Sequence, residues 1–418
     1  MRSLLPLMVL AAGAVAPSFA QDKLTLDQAV SEALQRNAAL LAERSNIAVA
    51  EARIITARLR PNPTLTFSPN HLDLLGTGFN DNNKGGPGEA TLHADYTLER
   101  GGKREARVAV AQAARSVTEL QFLNTVRGAV LDVQNAFVDV LLSKETLALA
   151  RQNREALARI VEVNTVRQKA GDIAEVELIR SRLAALQYEN SVRQAELGVR
   201  NALSRLQTLM GRPRPLPSFD VQGDLRRDSA ALDLEALQQT AEGQRPDVRA
   251  FSSDVERAGA ELRSQMAQAK VDYTVGTEYT RQQWNARANA LGFSFNVPIA
   301  IYNRNQGEIA RAREEERQAR LRVQAVQTAV AGEVETSYQQ YLTARGLLEN
   351  IEGKMIQGAR DVREITEFSY SRGDATLLEL LDAQRAFNET MQAYNEARAE
   401  YARSLYLLDS VTGKEVVK

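Results

Sequence analysis

GDIAEVELIRSRLAALQYENSVRQAELGVRNALSRLQTLMG (residues 171–211) and GDATLLELLDAQRAFNETMQAYNEARAEYARSLYLLDSVTG (373–413) are two versions of one segment. Both open on Gly-Asp, carry Glu-Leu six residues on and close on a Gly at the same spacing, with no gap. Upstream, LDQAVSEALQRNAAL (26–40) parallels LEALQQTAEGQRPDV (234–248). Identities are few, and the shared order of features carries the match. A two-fold internal repeat of this length makes each half one structural unit that packs against its copy.

Proline placement shows what each half is made of. No Pro lies between Pro87 and Pro213 or after Pro298. Both windows are rich in Ala, Leu, Glu, Gln and Arg, which favour helix. Apolar residues recur at three- and four-residue steps, at Phe122, Val126, Ala129, Val133, Phe137 and Val140. The same stepping runs through Leu380, Ala383, Phe387, Thr390, Tyr394, Ala397, Tyr401, Leu405 and Leu408. This alternation is a coiled-coil seam. Each window breaks once, at Ala170-Gly171-Asp172 and Arg372-Gly373-Asp374, where Gly ends one helix and a short turn starts the next. Each window is therefore a helical hairpin. Its first arm (about 103–168 or 306–370) reaches about 100 Å at about 1.5 Å per residue, which implies an elongated bundle or tube.

Before each hairpin the texture changes. PTLTFSP (63–69), the loop GTGFNDNNKGGPG (76–88) and EATLHADYTLE (89–99) precede the first. VDYTVGTEY (271–279), TRQQWNAR (280–287) and ANALGFSFNVP (288–298) precede the second. Leu92, Ala94, Tyr96 and Leu98 alternate with His93, Asp95 and Thr97; Leu291, Phe293, Phe295 and Val297 alternate with Ser294 and Asn296. Each half thus holds a hairpin of strands roughly 8–11 residues long, the length a tilted membrane strand needs. Two readings fit: a small soluble sheet capping the helices, or part of a membrane barrel. Four strands cannot close a barrel alone, whereas three copies give about twelve, inside the usual range.

The first twenty residues read as a secretory signal: Arg2, an apolar run from Leu4 to Val15, and Ser18-Phe19-Ala20 before the expected mature start at Gln21. No later stretch approaches the roughly 20 apolar residues of a membrane helix, so a closed barrel is the remaining way to span a bilayer. The 418 residues carry a net charge of −1 and no cysteine. That excludes disulfides, thiolate metal sites and Cys nucleophiles, and gives no electrostatic reason to expect nucleic acid. The organisation read from the sequence is a signal peptide (1–20) and a first repeat (21–210: helix, strand hairpin 63–99, helical hairpin 103–210). A linker (211–233) leads to a second repeat (234–413: helix, strand hairpin 271–298, helical hairpin 306–411) and a C-terminal tail (414–418).

In this order the features resemble the outer-membrane efflux channel family typified by TolC, and within it the CzcC-like branch linked to heavy-metal efflux. LTLDQAVSEALQRNAAL (24–40), RPNPTL (60–65), GGKREARVAVAQA (101–113), VPIAIYNRNQGEIARA (297–312) and YSRGDATLLELLDAQ (370–384) carry the resemblance. Asn-Arg-Asn-Gln-Gly (303–307) and Gly-Gly-Lys-Arg (101–104) point to the metal branch. The resemblance implies a mainly α fold with a membrane β-barrel. A homotrimer would pool four strands per chain into twelve, and long helical hairpins would continue the barrel as a periplasmic tunnel. It implies an outer-membrane location reaching into the periplasm of a Gram-negative cell. It further implies the exit duct of a tripartite pump, with a periplasmic adaptor (membrane fusion) protein and an inner-membrane RND transporter as partners.

The resemblance makes Gly171, Asp172, Arg372, Gly373 and Asp374 the tips gripped by the adaptor. They read Ala-Gly-Asp and Arg-Gly-Asp where the type member has Val-Gly-Leu and Val-Gly-Thr. Plain helix-turn chemistry is the other explanation of Gly-Asp. One turn in lie Glu177 and, at i, i+3 on one helix face, Glu379 with Asp382. The resemblance implies an acidic ring at these second-half positions that narrows the entrance and favours cations; a solvated helix face is the alternative. Arg180 stands in the first half where Asp382 stands in the second, which suggests an Arg180–carboxylate link holding the entrance shut.

Tyr96, Tyr273, Tyr279, Phe293 and Phe295 face lipid or pack at a helix–strand junction; Trp284 sits in a loop. Lys103, Arg104 and Arg107 suit headgroups or salt bridges rather than nucleic acid. The only histidines, His71 and His93, lack a second ligand at helical spacing. No metal cluster, cofactor fingerprint or nucleophile–base pair stands out, so no metal, no cofactor and no enzyme is expected. Cargo other than metals, drugs for example, fits the same duct. A periplasmic coiled-coil adaptor or structural protein is the competing class.

Overall fold

The computed structural model describes residues 23–70, 72, 74–76, 89–228, 232–282 and 288–414. The signal sequence, His71, most of the 76–88 loop, Trp284 and the tail beyond Lys414 lie outside them. The order of elements repeats. Helices α1 (Leu26–Arg36) and α2 (Ala38–Arg58) lead into strands β1 (Thr64–Asn70) and β2 (Glu89–Leu98), then α3 (Lys103–Ala170) and α4 (Glu175–Leu209). The second half runs α5 (Leu234–Gln244), α6 (Pro246–Gln268), β3 (Tyr273–Gln282), β4 (Ala288–Asn296), α7 (Gln306–Asn350), α8 (Ile356–Arg372) and α9 (Leu377–Thr412). Among the described residues no helix is long and apolar enough to cross a membrane.

Two departures from the sequence reading stand out. β1 has seven residues, short of the expected strand length. The long arm of the second half is interrupted by a π-helical turn, Ile351–Met355, where α3 is continuous over 68 residues. Hydrophobic periodicity does not reveal such a turn, because one wide turn barely disturbs a 3–4 pattern.

The chain forms two compact units that cut across the repeats. One takes the chain up to Asn37, Asp132–Arg227 and Leu347–Arg403; the other takes Ala38–Leu131, Asp228–Gly346 and the chain from Ser404. In the first, α1 packs on α3, α4 and the linker, and Ala29, Ala33, Val133, Phe137, Val140, Leu206 and Val221 form a buried core. Thr25 and Gln28 close a capping box at the start of α1, which fixes where that helix begins.

In the second unit the four strands make one antiparallel sheet in the order β1-β2-β3-β4. Its register puts Leu65, Phe67, Leu92, Ala94, Tyr96, Leu98, Val275, Tyr279, Leu291, Phe293 and Phe295 on one face. Thr66, His93, Asp95, Thr97, Glu278, Thr280 and Ser294 share the other. The apolar face is uncovered: Phe293 is 80% exposed and Leu65 70%. A soluble capping sheet would bury that face; a membrane barrel wall turns it to lipid and its polar side inward. The five aromatics singled out in the sequence all lie on it. Tyr273 also packs edge-on to Phe295 at 5.3 Å and under the Arg100 guanidinium at 4.1 Å.

The long helices end in the same way in both halves. Gly211 and Gly413 have positive φ (77° and 73°). A side chain on Gly211 would run into the backbone of Arg36 and Asn37, and one on Gly413 into that of Gln244 and Arg245. Beside each seat a side chain caps the last turn: Asn37 donates to the Leu209 carbonyl at 2.9 Å, and Arg245 to the Val411 carbonyl at 3.2 Å. Lys103, Arg104 and Arg107 are ion-paired within the chain, to Asp272, Glu105 and Glu99.

Candidate functional site

All the candidate residues lie in the first unit, at the turns between α3 and α4 and between α8 and α9. Each turn closes with the same pair of bonds. Gly171 N–H donates to Gln168 and Asp172 N–H to Arg167; Gly373 N–H donates to Tyr370 and Asp374 N–H to Ser369. That is a Schellman ending, in which the left-handed Gly lets the chain double back onto its own last carbonyls. Asp172 and Asp374 therefore serve the helix that ends, through their backbone, and do not cap the helix that begins. Their side chains stay exposed.

The helices that begin here differ. Thr376 caps α9: its hydroxyl accepts from the Glu379 N–H at 3.3 Å, while the Glu379 carboxylate accepts from the Thr376 N–H at 2.7 Å and its hydroxyl at 2.9 Å. Those two donors hold the Glu379 carboxyl below its ordinary range, the backbone bond first. Glu379 is thus the N3 residue of a capping box whose N-cap is Thr376. The corresponding residue before α4 is Ala174, which makes no side-chain cap, so Glu177 has no such tether. Asp382 is exposed and 3.8 Å from Arg385. Among the described residues Arg180 forms no ion pair within the chain, so the proposed link would need another subunit's carboxylate. Arg372 lies over the Phe368 ring at 4.3 Å.

Beneath the tips is a core that the sequence did not single out as a site. Leu157 and Ile160 of α3, Tyr370 of α8, and Leu377 and Leu380 of α9 are buried together. The Tyr370 hydroxyl donates to Asn164 Oδ1 at 2.6 Å, and Arg167 donates to the Tyr370 carbonyl at 3.1 Å. Burial raises the Tyr370 phenol above its ordinary range, against the opposing pull of Asn164 and Arg167. About three turns back along α3 from Asn164, Asn153 accepts from Gln384 at 2.9 Å and donates to Asn388 at 2.5 Å. Leu149, Asn153, Leu157, Ile160 and Asn164 form one buried seam. The Asn153 amide and the Asn164 amide oxygen meet partners on α9 and α8, which fixes the register of α3 against both helices. Two sequence signals were available: Asn164 is polar on an apolar seam, and Thr376-Leu-Leu-Glu379 has capping-box spacing.

The outer membrane efflux protein model matches this chain twice, over residues 29–212 and 237–414. The chain belongs to the outer membrane efflux protein family. The double match follows the internal repeat. The curated relatives of this efflux protein include the cobalt-zinc-cadmium resistance protein CzcC of Cupriavidus metallidurans, 25% identical over 96% of this chain and 92% of that one. Nodulation protein T of Rhizobium leguminosarum is 21% identical over 93% and 84%. Among solved structures, CusC superposes with a TM-score of 0.76 at 17% identity, covering 93% of this chain and 92% of its own. A membrane protein from Pseudomonas aeruginosa superposes with a TM-score of 0.77 at 16% identity, covering the same shares. The protein is an outer-membrane efflux channel and not an enzyme. The adaptor reading falls with that assignment.

Proposed function

We propose that three copies of this chain form the exit duct of a tripartite efflux system that passes heavy-metal cations. The geometry behind the trimer is the open sheet: β1 and β4 are both edges, and a bilayer does not leave a strand's backbone groups unpaired. Strands from further copies close it, and three copies of four give twelve. The cargo rests on the likeness to a cobalt-zinc-cadmium resistance protein along nearly the whole chain. The hairpin tips at Gly171 and Gly373 meet a periplasmic adaptor, which joins the duct to an inner-membrane RND transporter. Glu379 and Asp382, with Glu177, line the entrance. Among the described residues no cluster of His, Cys, Asp or Glu could hold a metal, so choice of ion belongs to the transporter.

A second reading keeps the duct and changes the cargo to drugs or other small molecules. It is favoured by likeness at similar coverage to a relative whose name specifies no metal. Deleting the gene and measuring tolerance to zinc, cobalt, cadmium, copper and a panel of drugs separates the two. Loss of metal tolerance, restored by the gene, supports the first. Unchanged metal tolerance with raised drug sensitivity sinks it in favour of the second.

A further inference from the structure

The two halves differ where sheet becomes helix. After β2 the connection to α3 is Glu99-Arg100-Gly101-Gly102. Its polar groups are used: Glu99 pairs with Arg107, and the Arg100 N–H donates to Asp272 at 2.9 Å. After β4 the connection is the longer Val297-Pro-Ile-Ala-Ile-Tyr302-Asn-Arg-Asn305. Ile299 and Tyr302 are 82% and 88% exposed, and Ile301 is also open. The Ile301 N–H donates to the Ile299 carbonyl at 2.9 Å, so the backbone makes a tight turn with its apolar side chains left outside.

In sequence these residues continue the alternation of an existing surface. Leu291, Phe293, Phe295, Val297, Ile299 and Ile301 recur at every second position, and the first three belong to the uncovered apolar face of the sheet. That face runs from the Tyr279–Leu291 row to the Leu98–Tyr273 row. Six steps of about 3.4 Å make it about 20 Å along the strands, before tilt, against an apolar band about 25 Å tall in outer-membrane barrels. Toward the hairpin tips, Leu72, Leu74 and Leu75 after β1 are also exposed apolar residues. Toward the helices, the β4–α7 connection continues the alternation in sequence. There Tyr302 is followed by exposed Arg304, the aromatic-then-cation order of a membrane–water boundary.

We propose that residues 297–302 are an interfacial anchor seated in the lipid leaflet on the helical side of the sheet, with Ile299 and Ile301 among acyl chains and Tyr302 at the headgroups. The proposal rests on the sheet being membrane wall. The other available occupant is a second copy, which exposes Ile55 at the end of α2 and Leu59 just after it.

The test uses the full-length protein in phosphatidylcholine vesicles. Trp284 is the only tryptophan, so Trp284→Phe gives a silent background for Tyr302→Trp, Ile301→Trp and, as a control within the sheet, Phe293→Trp. Lipids brominated along the acyl chain should quench Phe293→Trp and Ile301→Trp at least twofold. Lipids brominated near the headgroup should quench Tyr302→Trp most. If Phe293→Trp is quenched while both connection reporters are untouched by any brominated lipid, the anchor is overturned. Acrylamide access then tells solvent from burial against a second copy. If Phe293→Trp is itself unquenched, the membrane-wall reading fails first.

Discussion

The Tyr370 hydroxyl, in the last turn of α8, donates to Asn164 of α3 at 2.6 Å, and both residues are buried. The bond ties the second hairpin to the first immediately under their tips. The Asn164 amide nitrogen has no partner, so the oxygen's bond to Tyr370 is its side chain's main satisfaction. Tyr370→Phe keeps the ring and removes the donor, leaving a buried acceptor unmet. We expect a loss of about 1–3 kcal/mol, read by denaturant unfolding. We also expect more frequent opening in planar-bilayer recordings. Wild-type stability with wild-type currents would show that the link carries no weight.

The capping-box role of Glu379 is separable from its proposed role as an entrance carboxylate. Thr376→Ala removes the cap and should destabilise the start of α9 by about 1 kcal/mol, seen as faster amide exchange at residues 378–380. It leaves both carboxylates in place, so cation selectivity should persist. Glu379→Ala with Asp382→Ala should lower cation selectivity and change conductance. Unaltered currents in the double variant would remove both residues from the entrance.

Arg212 reaches Glu32 with two bonds, at 2.8 and 2.7 Å, where the linker meets α1. Hydrogen bonding from Arg212 is the main reason the Glu32 carboxyl lies below its ordinary range, offsetting burial. A depressed carboxyl stabilises the fold above its unfolded pKa, near 4.5. As pH falls through that value toward the folded pKa, the unfolded chain binds the proton first and stability drops. Melting followed from pH 7 to pH 3 should therefore decline on the acid side, and Arg212→Met should flatten that decline. An identical acid slope in the variant would exclude this pair as its source.

Arg245 is a buried cation between Asp247 and Glu333, each 2.6 Å away, and it also caps Val411. Burial works against its charge, but the two carboxylates raise its pKa overall, while Arg245 holds Asp247 below the usual range despite burial. Arg245→Met strands Asp247 in a part-buried site, and we expect a loss of about 3–5 kcal/mol. Asn37 does the equivalent capping in the first half without a charge, so Asn37→Ala should cost about 1–3 kcal/mol. Equal losses in the two variants would contradict this difference.

Periodicity and punctuation determined much of this protein. The repeat, the two hairpins broken at Gly171 and Gly373, and the alternating strands at 89–98 and 288–296 were legible, because helix and strand periods and glycine's left-handed freedom are local properties of a chain. The spacing that groups Glu379 with Asp382 was local too. Tertiary structure decided what depends on partners distant in sequence. It showed that Glu379 is held by Thr376 and that Arg180 pairs with no carboxylate among the described residues of its own chain. It joined Tyr370 to Asn164 across 206 positions, and it left the apolar face of the sheet uncovered. Sequence spacing fixes which face a side chain is on. Whether another part of the chain covers that face is settled only when the whole chain has packed.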